Sequence, residues 1–320
     1  MPDVITLGEV VVDIFASPIS APLKEANDFT IALGGSQANV AVTLTRLGAT
    51  AGFIGKAGAD PFGDRFMELL RAEGVDTSHF TQVRGSPTPV AWVDASNPKN
   101  VDFIFYRGAD AKLAPDDIDP AYIASARLFL FNSVTLTGGG KAAVQRAVDL
   151  ARQNGVLVSY DVNYRVPLWR DRAEARAGIL EGMQGVDILK ANEADIELLA
   201  GTSDLPAATR WSLEQGVKLC LVTLGPDGTY FNNGLAEGHV PAFKVDAVDT
   251  TGCGDAFVGG LMYGLLGTSL EIAALDEACL RQLVRFANAV GALTATGMGA
   301  MAPLPTRDMV EAFLSGQQAG

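Results

Sequence analysis

The sequence predicts an α/β protein: a doubly wound, mainly parallel sheet with helices on both faces and a small β-sheet lid. Three observations predict it. Short apolar runs alternate with segments of helical period along most of the chain. One stretch breaks that rhythm with two strand-like runs around a polar turn. Finally, 320 residues of which 48% are hydrophobic supply a sizeable core.

The elements follow in order. Val4 to Leu7 and Val10 to Phe15 make a β-rich start. Ala38 to Leu47 carries Val40, Ala41, Leu44 and Leu47 at helical spacing. Ala51 to Ile54 reads as a strand, and Asp64 to Ala72 as a helix that Gly74 closes in the left-handed conformation. Pro89 to Asp94 and Val101 to Tyr106 read as a hairpin joined by Ala95-Ser96-Asn97-Pro98-Lys99-Asn100. Phe15 to Ile31 is a second excursion able to pair with it. From Arg127 the α/β rhythm returns. Leu128 to Phe131, Val156 to Tyr160, Asp187 to Leu189 and Leu219 to Leu224 are strands, with helices at Lys141 to Gln153, Ala173 to Met183 and Glu193 to Leu199. Strands apolar on both sides belong in a parallel sheet covered on both faces. One domain over residues 1–320 is expected, with lid segments at about 15–33 and 87–107.

Composition excludes several classes. Charged residues are 19% and the hydrophobic share is high, which rules out a disordered chain. The net charge is −13 with no basic run, so no nucleic-acid or anionic-membrane partner is expected. An anionic small molecule stays allowed, because one local pocket can be positive. Cys220, Cys253 and Cys279 are far apart and form neither a zinc knuckle nor a disulfide framework, so a cytoplasmic setting is expected. The acidic start MPDVITLGEVVVDIF reads as a first strand, not a signal peptide. The uncharged stretch near Phe286 to Thr306 is broken by Gly and Pro and fails as a membrane span.

The string Asp249-Thr250-Thr251-Gly252-Cys253-Gly254-Asp255-Ala256-Phe257 carries the most chemistry. A helix is expected to begin near Asp255, because Phe257, Leu261 and Leu265 recur every four residues. The two glycines let backbone N–H groups approach an anion at the positive end of the helix. Such a hole suits the charge that builds on a phosphoryl group in transit. Asp255 at its mouth could accept a proton from an attacking hydroxyl. The competing reading is a plain left-handed turn with Asp255 as N-cap. Gly252-x-Gly254 lacks the third glycine of the dinucleotide fingerprint, which disfavours a nicotinamide oxidoreductase. Gly139-Gly140-Lys141 lacks the remaining residues of a P-loop.

Together with Gly34-Gly35-Ser36-Gln37-Ala38-Asn39-Val40-Ala41 and Arg46-Leu47-Gly48, that string resembles the ribokinase-like sugar kinases, the PfkB family. The resemblance spans essentially the whole chain. It implies a doubly wound sheet with a β-lid over the sugar. It also implies Asp255 as catalytic base, with Gly252, Cys253 and Gly254 supplying the anion-hole amides. On the sugar side it implies Asp13, Gly34, Gly35, Asn39 and Asn163, although Asp13 could simply end a strand and Asn39 cap a helix. For ATP it implies the turn Val222-Thr223-Leu224-Gly225-Pro226-Asp227-Gly228, whose Thr223, Gly225 and Gly228 meet the nucleotide, and Asn288 at the adenine edge. A hairpin turn is the rival reading of that string. Asn192-Glu193-Ala194-Asp195 corresponds to the family's NxxE, which organises Mg2+ through water. Its last position is aspartate here, with Glu193 as a possible substitute and an acid-rich helix start as the rival. Arg165 matches a γ-phosphate contact, the rival being a surface salt bridge. Asp249 and Thr251 match two positions of a K+ site completed by carbonyls between Thr294 and Pro303, the rival being an ordinary loop acid.

Within the family, Val158 to Trp169, Pro89 to Val93 and Phe105-Tyr106-Arg107 resemble fructokinases. The resemblance implies fructose as substrate, phosphorylated to the 6-phosphate. Relatives acting on 2-keto-3-deoxygluconate place a tyrosine where Val90 and Ala91 stand. Arg107, facing the pocket, keeps an acid sugar in play. Ribokinase and nucleoside kinases are weaker options, and a sugar-binding regulator without catalysis is the alternative from another class. Lids in this family often pair between subunits, so a homodimer through Phe103-Ile104-Phe105 is expected.

Overall fold

The computed structural model describes residues 1–96 and 102–317. The turn residues Asn97, Pro98, Lys99 and Asn100, and Val101 of the expected second hairpin strand, lie outside the described residues. The strands among the described residues are β1 (Val4–Leu7), β2 (Val11–Ala16), β3 (Phe29–Gly34), β4 (Ala51–Gly58), β5 (Phe80–Val83), β6 (Val90–Asp94), β7 (Asp102–Tyr106), β8 (Leu128–Asn132), β9 (Leu157–Asp161), β10 (Ile188–Asn192), β11 (Leu219–Thr223), β12 (Thr229–Asn232) and β13 (Glu237–Val240). They form a nine-stranded sheet in the order β13-β12-β11-β10-β9-β8-β1-β4-β5 and a four-stranded sheet in the order β3-β2-β6-β7.

From β11 to β5 every pairing in the large sheet is parallel; β12 and β13 join antiparallel at one edge. The predicted doubly wound fold is therefore present. Side chains alternate faces as strand geometry requires. Along β8, Leu128 and Leu130 enter one core layer with Phe53, Leu44 and Leu261, while Phe129 and Phe131 enter the other with Tyr160 and Ile179. Helices Lys141–Gln153, Glu193–Ala200 and Leu205–Glu214 cover the second layer; Ser36–Leu47, Cys253–Leu266 and Glu277–Thr294 cover the first.

The first β-rich segment divides. β1 pairs with β4 and β8 in the large sheet, and β2 pairs with β3 and β6 in the small one. Gly8, Glu9 and Val10 are the link. The small sheet thus begins at Val11, before the expected boundary near residue 15. Sequence periodicity alone does not show such a change of sheet, because both strands are apolar. β6 and β7 form the expected antiparallel hairpin, with Val90 opposite Tyr106 and Asp94 opposite Asp102. Of the unexpected strands, β5 and β13 are the edges of the sheet and β12 lies beside one; each is four residues long and so lacks a full apolar pattern.

The helix Cys253–Leu266 is seated closely between two others. Two mid-helix glycines permit it. A Cβ on Gly259 would lie 2.5 Å from Thr43 Cγ2, and one on Gly260 would lie 3.1 Å from Ala287 Cα. Glycine to alanine inside a helix ordinarily gains about 1 kcal/mol. At Gly259 the methyl instead meets a side chain buried in the neighbouring helix, so Gly259→Ala should lower unfolding free energy by about 1–3 kcal/mol. Equilibrium urea denaturation checks this; a midpoint equal to or above the parent's would show that the helices can part at no cost.

Candidate active site

The helix Cys253–Leu266 begins two residues before the expected position. Gly252, with φ 78°, is its N-cap, and no side chain caps the turn. The first-turn amides at Gly254 and Asp255 therefore have no capping side chain and are available to a ligand. The N-cap reading of Asp255 is overturned, because it is the third residue of the helix. Its carboxylate instead receives Ser36 Oγ on Oδ1 and Asn39 Nδ2 on Oδ2, each at 2.7 Å. Asn39 likewise caps nothing, lying inside the helix Ser36–Leu47. Burial raises the pKa of Asp255, opposed by these two bonds and by Lys190. One acceptor site per oxygen is thus taken by a donor, and the remainder are free for a substrate hydroxyl.

A cavity of about 1080 Å³ opens around this carboxylate, between the small sheet and the strand ends of the large one. Asp13, Gly35, Asn39, Arg107, Asn163, Arg165, Asn192, Glu193, Thr223, Gly225, Gly228, Thr251, Gly252, Cys253, Gly254, Asp255 and Asn288 all line it. Gly34, Asp195 and Asp249 of the sequence-predicted set do not.

At one end are acids. Asp13 points in from β2, and burial pushes its pKa from 3.8 to about 7 despite Arg165. Gly34 leaves room for it: a Cβ there would come 2.6 Å from Asp13 Oδ2. Gly35 adopts φ 117°, which favours glycine, and a Cβ on it would meet the Glu9 carbonyl oxygen at 2.3 Å. Arg107 is not a free cation. It pairs with Asp110 and donates to Thr137 Oγ1, so its charge is compensated inside the protein. Asn163 holds φ 41° at the end of β9, an uncommon backbone state for a residue other than glycine.

Two cations line the same cavity. Arg165 makes no ion pair among the described residues; its guanidinium lies 5.7 Å from the centroid of the Phe103 ring, which the small sheet contributes. The surface-salt-bridge reading therefore does not hold. Lys190 Nζ lies 3.1 Å from Asp161 Oδ1, and also 3.1 Å from where a Cβ on Gly254 would stand. The sequence reading passed over Lys190. Its signal was present: one charged residue inside the otherwise uncharged strand Ile-Leu-Lys-Ala-Asn. Ser36 was missed too, because a serine opening a helix ordinarily reads as a cap.

The turn expected to meet the nucleotide is a hairpin turn between the antiparallel β11 and β12, and it lines the cavity. Gly225 and Gly228 have φ of 54° and 106°, and a Cβ on Gly228 would lie 2.1 Å from the Val240 carbonyl oxygen. Thr223 Oγ1 donates to the Ala191 carbonyl at 3.3 Å. Asn288 accepts from Thr229 Oγ1 and donates to the Val240 and Pro241 carbonyls, so it can edge a ligand by packing but has little hydrogen bonding to offer.

The expected metal residues fall differently. Asn192 and Asp195 form a capping box at the helix Glu193–Ala200, and Asp195 also accepts from the Tyr164 amide. Asp195 is thus turned away from the cavity, as an acid-rich helix start predicts, while Glu193 faces it. Asp249 accepts from the Thr251 amide and hydroxyl and from the Gly299 amide, stapling two loops together. Among the described residues, no group of three or more His, Cys, Asp or Glu is placed to hold a metal ion. These side chains fit an ion carried by a bound nucleotide or held by backbone oxygens, not an all-carboxylate cage. No helix among the described residues is long and apolar enough to cross a membrane.

The buried acids make stability depend on pH. Glu9 and Asp13 both titrate near 7 when folded, against 4.5 and 3.8 ordinarily. The folded state therefore binds protons more tightly than the unfolded chain. Their contribution is complete at low pH and is lost as pH rises through about 7. Without ligands, the midpoint of thermal unfolding should be higher near about pH 6 than near about pH 8, and Asp13→Asn should flatten that slope. Scanning calorimetry across this window checks it; a parent slope of the opposite sign would contradict the burial of these acids.

The profile of the pfkB family carbohydrate kinases matches residues 1–307. A probable fructokinase-3 of Arabidopsis thaliana is 39% identical over 98% of this chain and 92% of its own length. Among solved structures, a putative ribokinase II from E. coli in complex with ATP and magnesium superposes with TM-score 0.87 at 29% identity, covering 99% of this chain and all of that one. A double mutant of the fructokinase from Vibrio cholerae O395, with fructose, ADP and potassium bound, superposes with TM-score 0.86 at 28% identity, covering 98% of each chain. With a full-length family match and relatives well above 30% identity, the chain belongs to the pfkB family of carbohydrate kinases.

Proposed function

We propose that this protein is an ATP-dependent fructokinase, forming fructose 6-phosphate and ADP. The observation that carries the reading is the position of Asp255: a carboxylate fixed by Ser36 and Asn39, inside an uncapped helix turn, in a cavity that Asp13, Arg165 and Lys190 also line. Asp255 accepts the proton of the sugar's terminal hydroxyl as that oxygen attacks the γ-phosphorus. The bond to the β–γ bridging oxygen breaks, and ADP departs with that oxygen. The amides at Gly252, Gly254 and Asp255, with Arg165 and Lys190, offset the charge that develops on the transferred group; the expected third donor, the Cys253 amide, instead bonds the Thr250 carbonyl at 3.3 Å. Asp13, Asn39, Asn163 and the backbone at Gly34 and Gly35 hold the sugar. Thr223, Gly225, Gly228 and the packed edge of Asn288 receive the nucleotide.

Magnesium, when bound with ATP, supplies neutralisation of the phosphates. Glu193 is the side chain placed to meet its water shell, with Asn192 and Asp195 holding that turn in place. A potassium ion fits beside the loop that Asp249 and Thr251 shape, held by backbone oxygens. Fructose is favoured over an acid sugar by charge. Arg107 is already compensated by Asp110, and Glu9 and Asp13 at that end would repel a carboxylate.

We read the chain as one kinase domain in the cytoplasm, with the small sheet as its lid. The outer face of that sheet exposes Phe29, Ile31, Ile104 and Tyr106, which supports a homodimer formed lid to lid. Ile104→Glu should then convert the dimer seen by light scattering to a monomer. A parent that is already monomeric would remove the dimer from this account.

An ADP-release assay comparing fructose, 2-keto-3-deoxygluconate, ribose and a nucleoside tests the activity. Fructose is expected to give the highest kcat/KM, and turnover of the acid sugar alone would overturn the choice. Asp255→Ala should lower kcat by at least about a hundredfold while largely keeping sugar binding. Normal turnover by that variant would remove Asp255 as the base.

A further inference from the structure

Glu9 is a buried carboxylate that the proposed chemistry does not use. It stands in the link between β1 and β2, where the chain leaves the large sheet for the small one. Its Oε1 accepts from the Ser36 amide at 3.0 Å, and both its oxygens accept from Asn132 Nδ2 at 3.3 Å. Ser36 opens the helix Ser36–Leu47, whose N-cap is Gly35 and has no side chain to offer. Glu9 thus supplies, from 27 residues upstream, the acceptor that a capping serine or aspartate ordinarily provides.

Two further features make this contact specific. The first turn that Glu9 holds carries both donors to Asp255, Ser36 Oγ and Asn39 Nδ2. The amide of Asn132 cannot turn over, because its Oδ1 already accepts from the Thr135 amide and hydroxyl. Only N–H groups therefore face Glu9, and a group with acceptors on both oxygens is required. The return crossing from the small sheet closes on the same residue, since only a glycine at position 35 clears the Glu9 carbonyl.

We propose that Glu9 is a positioning residue for the transfer reaction: it caps the helix turn that holds Asp255 and fastens that turn to the hinge between the two sheets. This rests on Asp255 acting as base. The charged groups around Glu9 are Arg107, which follows β7 and is neutralised by Asp110, and Asp13 of β2. Burial pushes the Glu9 carboxyl up to about 7 against bonds from its own amide, the Ser36 amide and Asn132 and the field of Arg107. Protonation as pH falls through that value weakens the cap, so turnover declines on the acid side.

Full-length Glu9→Gln and Glu9→Asp, assayed for ADP release with fructose from about pH 5.5 to 8.5 and by amide hydrogen exchange, test this. Glutamine turns an NH2 group toward donors. Glu9→Gln should lower kcat by at least about tenfold at the alkaline end, change KM for the sugar by less than about threefold, and speed exchange at residues 36–39. The acid-side midpoint of kcat should fall by about half a pH unit, because Glu9 no longer titrates and Asp13 loses a repelling neighbour. Glu9→Asp, which keeps the charge, should recover part of the rate. Unchanged kcat and pH profile in Glu9→Gln overturn the proposal even if exchange quickens, since Glu9 would then be structural only. Should Glu9→Gln fail to fold, Asn132→Ala removes a donor to the carboxylate and should raise the acid-side midpoint; an unmoved midpoint overturns the proposal. If the parent phosphorylates no sugar, the kinase reading fails on its own, and slower or equal exchange in Glu9→Gln still overturns the cap.

Discussion

Two hydrogen bonds, from Ser36 Oγ and Asn39 Nδ2 to the two oxygens of Asp255, join parts of the chain more than two hundred residues apart. Everything else in the cavity is placed around that junction. A carboxylate at the third position of a helix feels the helix dipole, which favours its charged form, while burial favours the neutral one. The two donors take one acceptor site on each oxygen and leave the rest turned to the cavity. The side chain is thereby restrained, and little conformational freedom remains for it to lose when a ligand meets it.

That junction exists only because the helices carrying it can approach closely. Gly259 and Gly260 let the Cys253–Leu266 helix lie against its two neighbours, and Gly252 and Gly254 put no side chain at its N-cap and second position. The main sheet contributes the rest by topology. In a parallel sheet all strand ends of one polarity gather on one edge, so β1, β9, β10 and β11 deliver Glu9, Asn163, Asn192 and Thr223 to the same cavity from distant points in sequence.

The sequence carried much of this openly. The apolar run of Leu128 to Phe131 and the helical spacing after Asp255 are local signals with one physical meaning, and residues of both glycine-rich strings line the one cavity. What stayed hidden depends on contacts between distant residues. That Ser36 reaches Asp255 rather than capping its own helix is decided by the packing of two helices, not by either string. That Asp195 faces inward is decided by the Tyr164 amide. Arg107 looked like a free cation until the fold brought Thr137 to it and aimed its guanidinium at Asp110. Lys190 was legible as an anomaly, a lone charge in a buried strand, but its partner Asp161 lies on the neighbouring strand and only sheet register brings them together.

The arrangement of charge explains how a chain with net charge −13 can manage an anionic co-substrate. Glu9, Asp13, Asp255, Arg165 and Lys190 all line one cavity. Arg165 is the charge that most opposes the upward shift of Asp13, and Lys190 is paired with Asp161 on the neighbouring strand. The cations therefore interleave with the carboxylates and do not stand apart from them. Glu9 is occupied by its donors Ser36 and Asn132, whereas Asp13 and Asp255 remain able to accept from hydroxyls. Arg165 makes no ion pair among the described residues, and the uncapped helix turn adds main-chain donors beside it. An anion is thus met by one uncompensated guanidinium and by backbone N–H groups, local features that the net charge of the chain does not decide.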